Sequence, residues 1–356
     1  MFLFNLTSGP IFGEYYTHLE VLGMNSDCLI TDFDDALLVD ADVKLLDISE
    51  STPKNFFKGL SRMHSLTYLN VSKCRNFSWG DALRELPYEL YSLDSLKYLF
   101  ANSLNITRLL PEIGNLRHIE VLSFHNCRLV DLPAQMFMLT KLRVLDLCFN
   151  DFIYLPDVLT RLKNLEVLLL EGNPLKHALP ESFAGLQKLE VLSLQFSPEM
   201  EEKDVIASLE IVSKLKNLKV LHLRDSQLEV LPDCISQMAS LEQVSLRGNK
   251  IDMKKAAITL SLLPRLRLLD VSSCGIKRLP KELAKLSQLE VLYAENISSS
   301  ASTSSAYNNS FDSFPTELLQ SVSLKSIYTY NSQKLTYSLK EFEADNSQSF
   351  IETMAY

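Results

Sequence analysis

The chain is poor in the features that most often announce chemistry. In 356 residues there are only ten glycines and thirteen prolines, which excludes collagen-like and low-complexity classes. No G-x-x-x-x-G-K-[ST] phosphate loop, no H-E-x-x-H and no C-x-x-C occurs, so no cofactor and no metal is expected. No apolar run approaches the ~20 residues that span a bilayer; Val167 to Leu170 is typical of the longest. Positive charge is in deficit, 35 Lys and Arg against 44 Asp and Glu, a formal net charge of −9. That argues against nucleic acid as the partner, because a polyanion needs a basic surface. The N-terminal Met1 to Thr7 is briefly apolar but has no basic flank, so no secretory signal is read. The sequons at Asn5, Asn70, Asn76, Asn105, Asn296 and Asn308 then carry no meaning. The six cysteines (Cys28, Cys74, Cys127, Cys148, Cys234, Cys274) cluster at neither end. They read as reduced thiols of a cytoplasmic protein.

What the chain does have is 46% hydrophobic residues in a strict period. Leu-Glu-Val-Leu recurs at Leu19–Leu22, Leu165–Leu168, Leu189–Leu192 and Leu289–Leu292. It belongs to a longer unit, L-x-x-L-x-L-x-x-N/C-x-L-x-x-L-P-x-x-L-x-x-L. Units begin at Leu19, Val43, Leu66, Leu96, Ile119, Leu142, Leu165, Leu189, Leu218, Leu241, Leu266, Leu289 and Leu324. That register is the leucine-rich repeat.

The spacing dictates the architecture. The leucines at positions 4 and 6 alternate with period two and so point inward from one short strand. One repeat cannot bury that face, but stacked repeats pair their strands in parallel and share a core. Asn or Cys at position 9 (Cys74, Cys127, Asn150, Asn173, Asn249, Cys274) sits at the turn leaving the strand, where it can bond free backbone groups. Leu-Pro at 86–87, 132–133, 155–156, 179–180, 231–232 and 279–280 then ends ladder pairing, and a short helical or 3₁₀ turn returns the chain on the convex side. The fold class is an α/β leucine-rich repeat solenoid, a curved horseshoe of about thirteen repeats with a parallel sheet on its concave face. Residues 19–334 form the solenoid, 1–18 an N-terminal cap and 335–356 a C-terminal cap or tail. Insertions fall at 75–82, at the acidic 197–204 and at the Ser-rich 297–310.

Positions 3, 5, 7 and 8 face the concave solvent side. There Tyr98, Phe100, His125, Phe149, Leu169, Phe196, His222, Arg224, Arg247 and Tyr293 line up, followed by Tyr328 and Tyr330. Aromatics and arginine are the residues enriched at binding hot spots. Two readings stand: a protein-binding surface, or side chains that pack on one another. Asp47, Asp146 and Asp270 read as a solvated strand face. His125 and Cys148 hold position 7 of adjacent repeats, with Asp146 nearby, which raises a Cys-His nucleophile pair. An open solenoid face offers no oxyanion hole, so no catalytic residue is assigned and the chain is read as no enzyme.

The phrasing of the repeats resembles one family more closely. Lys54 to Leu60 running into Leu66 to Val71, Ile106 to Leu116, and Leu266 to Pro280 continuing to Tyr293 are similar to the repeat region of plant coiled-coil nucleotide-binding leucine-rich repeat (NLR) immune receptors. That family's phosphate loop and Met-His-Asp motif are absent; Arg62-Met63-His64-Ser65 is not one. The resemblance implies a sensor or autoinhibitory module whose protein ligand is a pathogen effector, a guarded host protein or a nucleotide-binding switch domain. The other class that the repeat permits is a cytoplasmic adaptor for a small GTPase or phosphatase.

Overall fold

The computed structural model describes residues 44–50, 60–74, 85–296, 308–311, 315–319, 321 and 323–329. Among them are twelve strands of three residues: β1 (Leu45–Asp47), β2 (Tyr68–Asn70), β3 (Tyr98–Phe100), β4 (Val121–Ser123), β5 (Val144–Asp146), β6 (Val167–Leu169), β7 (Val191–Ser193), β8 (Val220–His222), β9 (Gln243–Ser245), β10 (Leu268–Asp270), β11 (Val291–Tyr293) and β12 (Ser326–Tyr328). Each occupies positions 3 to 5 of one repeat, from the unit at Val43 to the unit at Leu324. The unit at Leu19, the insertion at 75–82, residues 297–307 and the segments 1–18 and 335–356 lie outside the described residues.

The chain divides into two compact units, up to Leu145 and from Asp146. In each, strands follow one another in chain order. In the first, β1 to β4 pair in parallel with Leu46, Leu69, Leu99 and Leu122 in register. In the second, β6 to β12 do the same with Leu168, Leu192, Leu221, Val244, Leu269, Leu292 and Ile327 in register. All of these position-4 side chains are buried, as are the flanking leucines of positions 1 and 6 such as Leu165 and Leu170. The core of each unit is thus a stack of near-identical apolar layers, and no layer closes without its neighbours.

Each of the six Leu-Pro pairs is followed at once by a five-residue 3₁₀ helix: Tyr88–Ser92, Ala134–Met138, Asp157–Arg161, Glu181–Gly185, Asp233–Gln237 and Lys281–Lys285. Proline stands just outside the helix, its φ of −58° to −73° preset by the ring. Pro111 instead opens the helix Pro111–Asn115. Two repeats without the proline return through α-helices, α1 (Glu202–Val212) and α2 (Met253–Leu260). The acidic insertion at 197–204 is therefore the entry to a helix. Its Glu202 and Asp204 sit in the first turn, where carboxylates are favoured by the helix dipole. A third helix, α3 (Thr316–Leu319), precedes β12.

Three devices turn the chain out of each strand. Position 8 adopts a left-handed backbone at Glu50, Lys73, Ser103, Asn126, Phe149, Gly172, Asp225, Gly248 and Ser273, with φ between 49° and 77°. The acid or amide at position 5 clamps the amide of position 7: Asp47 to Ser49, Asn70 to Ser72, Asp146 to Cys148 and Asp270 to Ser272, at 2.9–3.0 Å. These aspartates close a turn, which corrects their reading as a merely solvated face; Asp146 itself is buried. Finally, position 9 donates to the position-6 carbonyl of the preceding repeat. Cys74 Sγ reaches Ile48 O and Cys127 Sγ reaches Ala101 O in the first unit. In the second, Asn173 reaches Leu147 O, Asn249 reaches Leu223 O and Cys274 Sγ reaches Leu246 O.

The Ser-rich insertion keeps this ladder. Asn309 Nδ2 donates to Val271 O and Ala294 O at 3.1 Å, and its Oδ1 accepts from the amides of Cys274 and Ile276. Asn249 makes the corresponding bonds two repeats earlier, to Leu223 O and Leu246 O and from Ser226 and Leu228. Asn309 takes up the ladder position of its repeat. Replacing Asn309 with leucine strands two buried carbonyls and two buried amides, each worth ~1–3 kcal/mol. Urea unfolding should show a loss of at least about 3 kcal/mol for N309L and almost none for N308L, since Asn308 is exposed. Equal losses would remove Asn309 from the ladder.

Candidate protein-interaction surface

The side chains at positions 5 and 7 stand opposite the leucine core by strand alternation. In the first unit, Tyr98 and Phe100 flank the buried Leu99 and are half-buried. Phe100 packs on the buried Tyr68, ring centroids 5.5 Å apart and tilted by 43°. Burial, with the Glu120 carboxylate beside it, raises the Tyr98 hydroxyl, and Arg143 opposes that shift. His125 is half-buried, its backbone amide donating to Asn102 Oδ1, which also accepts from Ser123 Oγ.

In the second unit Phe149 is the most open aromatic of the surface, 47% exposed, with φ of +55°. A left-handed backbone, the shared turn of position 8, costs a bulky residue ~1–2 kcal/mol. Its ring lies on Gly172 of the next repeat, where a Cβ would come within 2.5 Å of Phe149 Cδ1. Gly172 is itself left-handed at +77°; it both turns the chain and leaves room for the ring.

Two expected surface residues are buried instead, Phe196 in the leucine core and Leu169 on the opposite face. Phe196 is 1% exposed. Its position 8 is not left-handed; the backbone stays extended and bridges to Leu175 in parallel. Alternation therefore continues through Leu192, Leu194 and Phe196, all pointing inward. Leu169 is 6% exposed. At a strand spacing of ~4.8 Å, side chains of neighbouring repeats suffice to cover it. Tyr330 lies outside the described residues.

The remaining residues stand in a polar field that the sequence reading did not single out. Arg224 Nε donates to Ser245 Oγ (3.2 Å), which donates to Asp270 Oδ2 (2.9 Å). On the other side Arg224 Nη1 lies 3.7 Å from Glu171 Oε2, which accepts from Ser193 Oγ. These partners sit at positions 5 and 7 of successive repeats, and that offset was the available signal. His222, in register with Ser193 and Ser245, has its pKa pushed down to about 3 by burial and by the Arg224 charge. Glu295 is pushed up by burial and by Asp270, against the pull of Arg247. Tyr293 stacks on Tyr328 at 4.7 Å and 14°.

The cysteine chemistry runs opposite to a nucleophile. Cys148 is buried, and burial together with the Asp146 and Glu171 carboxylates holds its thiol well above the usual range. A reactive cysteine needs the thiolate. Cys274 is likewise pushed up to about 12, chiefly by burial.

His222 supplies a pH test. Its folded pKa lies below the ordinary value, so the unfolded chain takes up the proton first. Its neutral form supports the fold fully above about pH 6.5, and that support is lost as pH falls from there towards about 3. The His222 ring resonances should stay flat between pH 5 and 8. H222Q should flatten the fall of the urea midpoint below pH 6.5; an unchanged slope would contradict this placement.

Comparison with known proteins places the repeat. The family model described as a leucine-rich repeat region matches residues 42–267. Mouse (Mus musculus) volume-regulated anion channel subunit LRRC8B is 27% identical over 226 residues, 57% of this chain and 28% of that protein. TMV resistance protein N of Nicotiana glutinosa is 29% identical over 173 residues, 47% of this chain and 15% of that protein. The chain thus spans well under a third of the length of these relatives. Among solved structures, an internalin of Listeria monocytogenes superimposes with a TM-score of 0.59 at 18% identity, covering 93% of this chain and 92% of that one. A leucine-rich repeat protein of Leptospira interrogans gives 0.54 at 23%, covering 94% and 96%. Both share the fold. No helix among the described residues is long and apolar enough to cross a membrane. With its family model covering most of the chain and the ladder of each unit built from the same repeat, this protein belongs to the leucine-rich repeat family.

Proposed function

We propose that the chain is a non-catalytic protein-recognition module, the sensor and autoinhibitory repeat region of a plant intracellular immune receptor acting in the cytoplasm. The observation that carries the recognition reading is Phe149, an open aromatic held at a backbone angle that stability alone disfavours. Further along the second unit, three to six repeats on, come His222, Arg224, Arg247 and Tyr293, and the first unit offers Tyr98, Phe100 and His125 on its own face. Aromatic and arginine side chains of this kind dominate binding energies. Similarity to TMV resistance protein N, together with the resemblance of the repeat phrasing, supports the immune assignment. The ligand in that reading is a pathogen effector, a guarded host protein or a nucleotide-binding switch domain. Similarity to the anion channel subunits supports a second reading, in which the same module is the partner-binding arm of a different, larger assembly.

Co-expression of the full chain with nucleotide-binding switch domains and candidate effectors in plant leaf cells tests this. Capture of one of them is expected. F149D should weaken that capture about tenfold or more, ~1.4 kcal/mol, with circular dichroism unchanged. F196D is the contrasting variant: it buries a charge in the core and should unfold the chain. Capture indifferent to F149D and to Y98D would move the site off this face. Capture of a GTP-loaded small GTPase instead would favour an adaptor.

A further inference from the structure

Arg224 and Arg247 hold position 7 of neighbouring repeats, on chain segments joined by the Asp225 amide donating to Arg247 O at 2.9 Å. Their strands pair in parallel, so the two side chains start ~4.8 Å apart. Arg224 is aimed from below: Ser245 Oγ holds its Nε and is itself held by Asp270. Glu171 touches Nη1 only at 3.7 Å. The Arg247 guanidinium makes no hydrogen bond or ion pair with any described residue. Both are half-buried, where a charge-assisted bond is stronger than at an open surface. Two adjacent guanidinium forks with unspent donors match the planar, two-oxygen geometry of a carboxylate.

The flanks set a second condition. Along position 7 of the second unit the order is Glu171, Gln195, Arg224, Arg247, Ser272, Glu295. The Glu171 and Glu295 backbones lie two repeats to either side of the arginine pair, ~10 Å away, and the Glu171 carboxylate reaches back to within 3.7 Å of Arg224 Nη1. A partner that is acidic throughout would be repelled at both ends. A phosphate, with a charge of about −1.5 to −2, would suffer more from those flanks than a single carboxylate.

We propose that the concave face of the second unit recognises a protein segment with a central Asp or Glu seated on Arg224 and Arg247 and basic side chains facing Glu171 and Glu295. This rests on the reading of that face as a protein-binding surface and names the charge pattern that it selects. Alternating charge of this kind sets specificity and register more than raw affinity, so the readout is selection rather than one dissociation constant.

The test is a random peptide display library selected on the immobilised full chain. Enriched peptides should carry an acidic centre with basic flanks. Their binding should fall about tenfold or more on R224E/R247E, which removes the fork and reverses its sign. E171Q/E295Q should keep the acidic centre and erase the preference for basic flanks, with circular dichroism unchanged in both variants. Peptides lost on F149D but lacking an acidic centre would overturn this inference and leave the concave-face reading standing. Peptides indifferent to F149D, Y98D and R224E/R247E alike would overturn both. No enrichment overturns the charge pattern, and tighter binding of a phosphoserine version of the selected peptide would assign the fork to phosphate.

Discussion

One hydrogen bond organises the rest of the structure: the bond from position 9 of a repeat to the position-6 carbonyl of the repeat before it. A left-handed residue has just turned the chain out of the strand, and the carbonyls on the inner side of that turn have lost their ladder partners. They are buried against the leucine stack, where an unpaired group costs ~1–3 kcal/mol. A short donor at the right height satisfies two of them at once. Asn173 does so for Leu147 and Leu170, and Asn249 for Leu223 and Leu246. Cys74, Cys127 and Cys274 make the cross-repeat bond with sulfur, which explains cysteine at this position without redox or metal chemistry. Because the bond crosses from one repeat to the next, it locks the stacking register as well as the turn.

The return path is decided by a second local rule. Proline before a 3₁₀ helix presets φ and withholds an amide, and six repeats use it. The repeats at Leu189 and Leu241, which have no Leu-Pro pair ahead of the return, return through the α-helices α1 and α2. Asp252 caps the second of these helices, accepting from the amides of Lys254 and Lys255. The return side varies while the strand side repeats, because the strands pair in register with their neighbours.

The recognition face follows from the same constraints. Alternation makes positions 5 and 7 available, and most are spent on the structure itself: Asp146 and Asp270 clamp turns, Ser245 links Arg224 to Asp270. The exposed Phe149 ring at position 8 and the Arg247 guanidinium are what a partner can use. An extended rather than left-handed backbone at Phe196 shows how narrow the margin is, since one dihedral moves an aromatic from the surface to the core.

From the sequence alone came the repeat, its register, a short strand with the leucines of positions 4 and 6 inward, the Leu-Pro turn and the backbone-bonding role of position 9. These depend on short-range periodicity and on side chains that act within one repeat or on the next, so the spacing of Leu142, Leu145, Leu147 and Asn150 already contains them. The tertiary structure alone decided that Phe196 and Leu169 are buried and Phe149 is open. It alone showed that Asn309 resumes the ladder thirteen residues after Asn296, and that Arg224, Ser245 and Asp270 form one chain of bonds. Those outcomes depend on backbone angles and on neighbours 21 to 38 residues away, and a period of 23 to 25 residues does not record which side chain the next turn of the solenoid will place alongside.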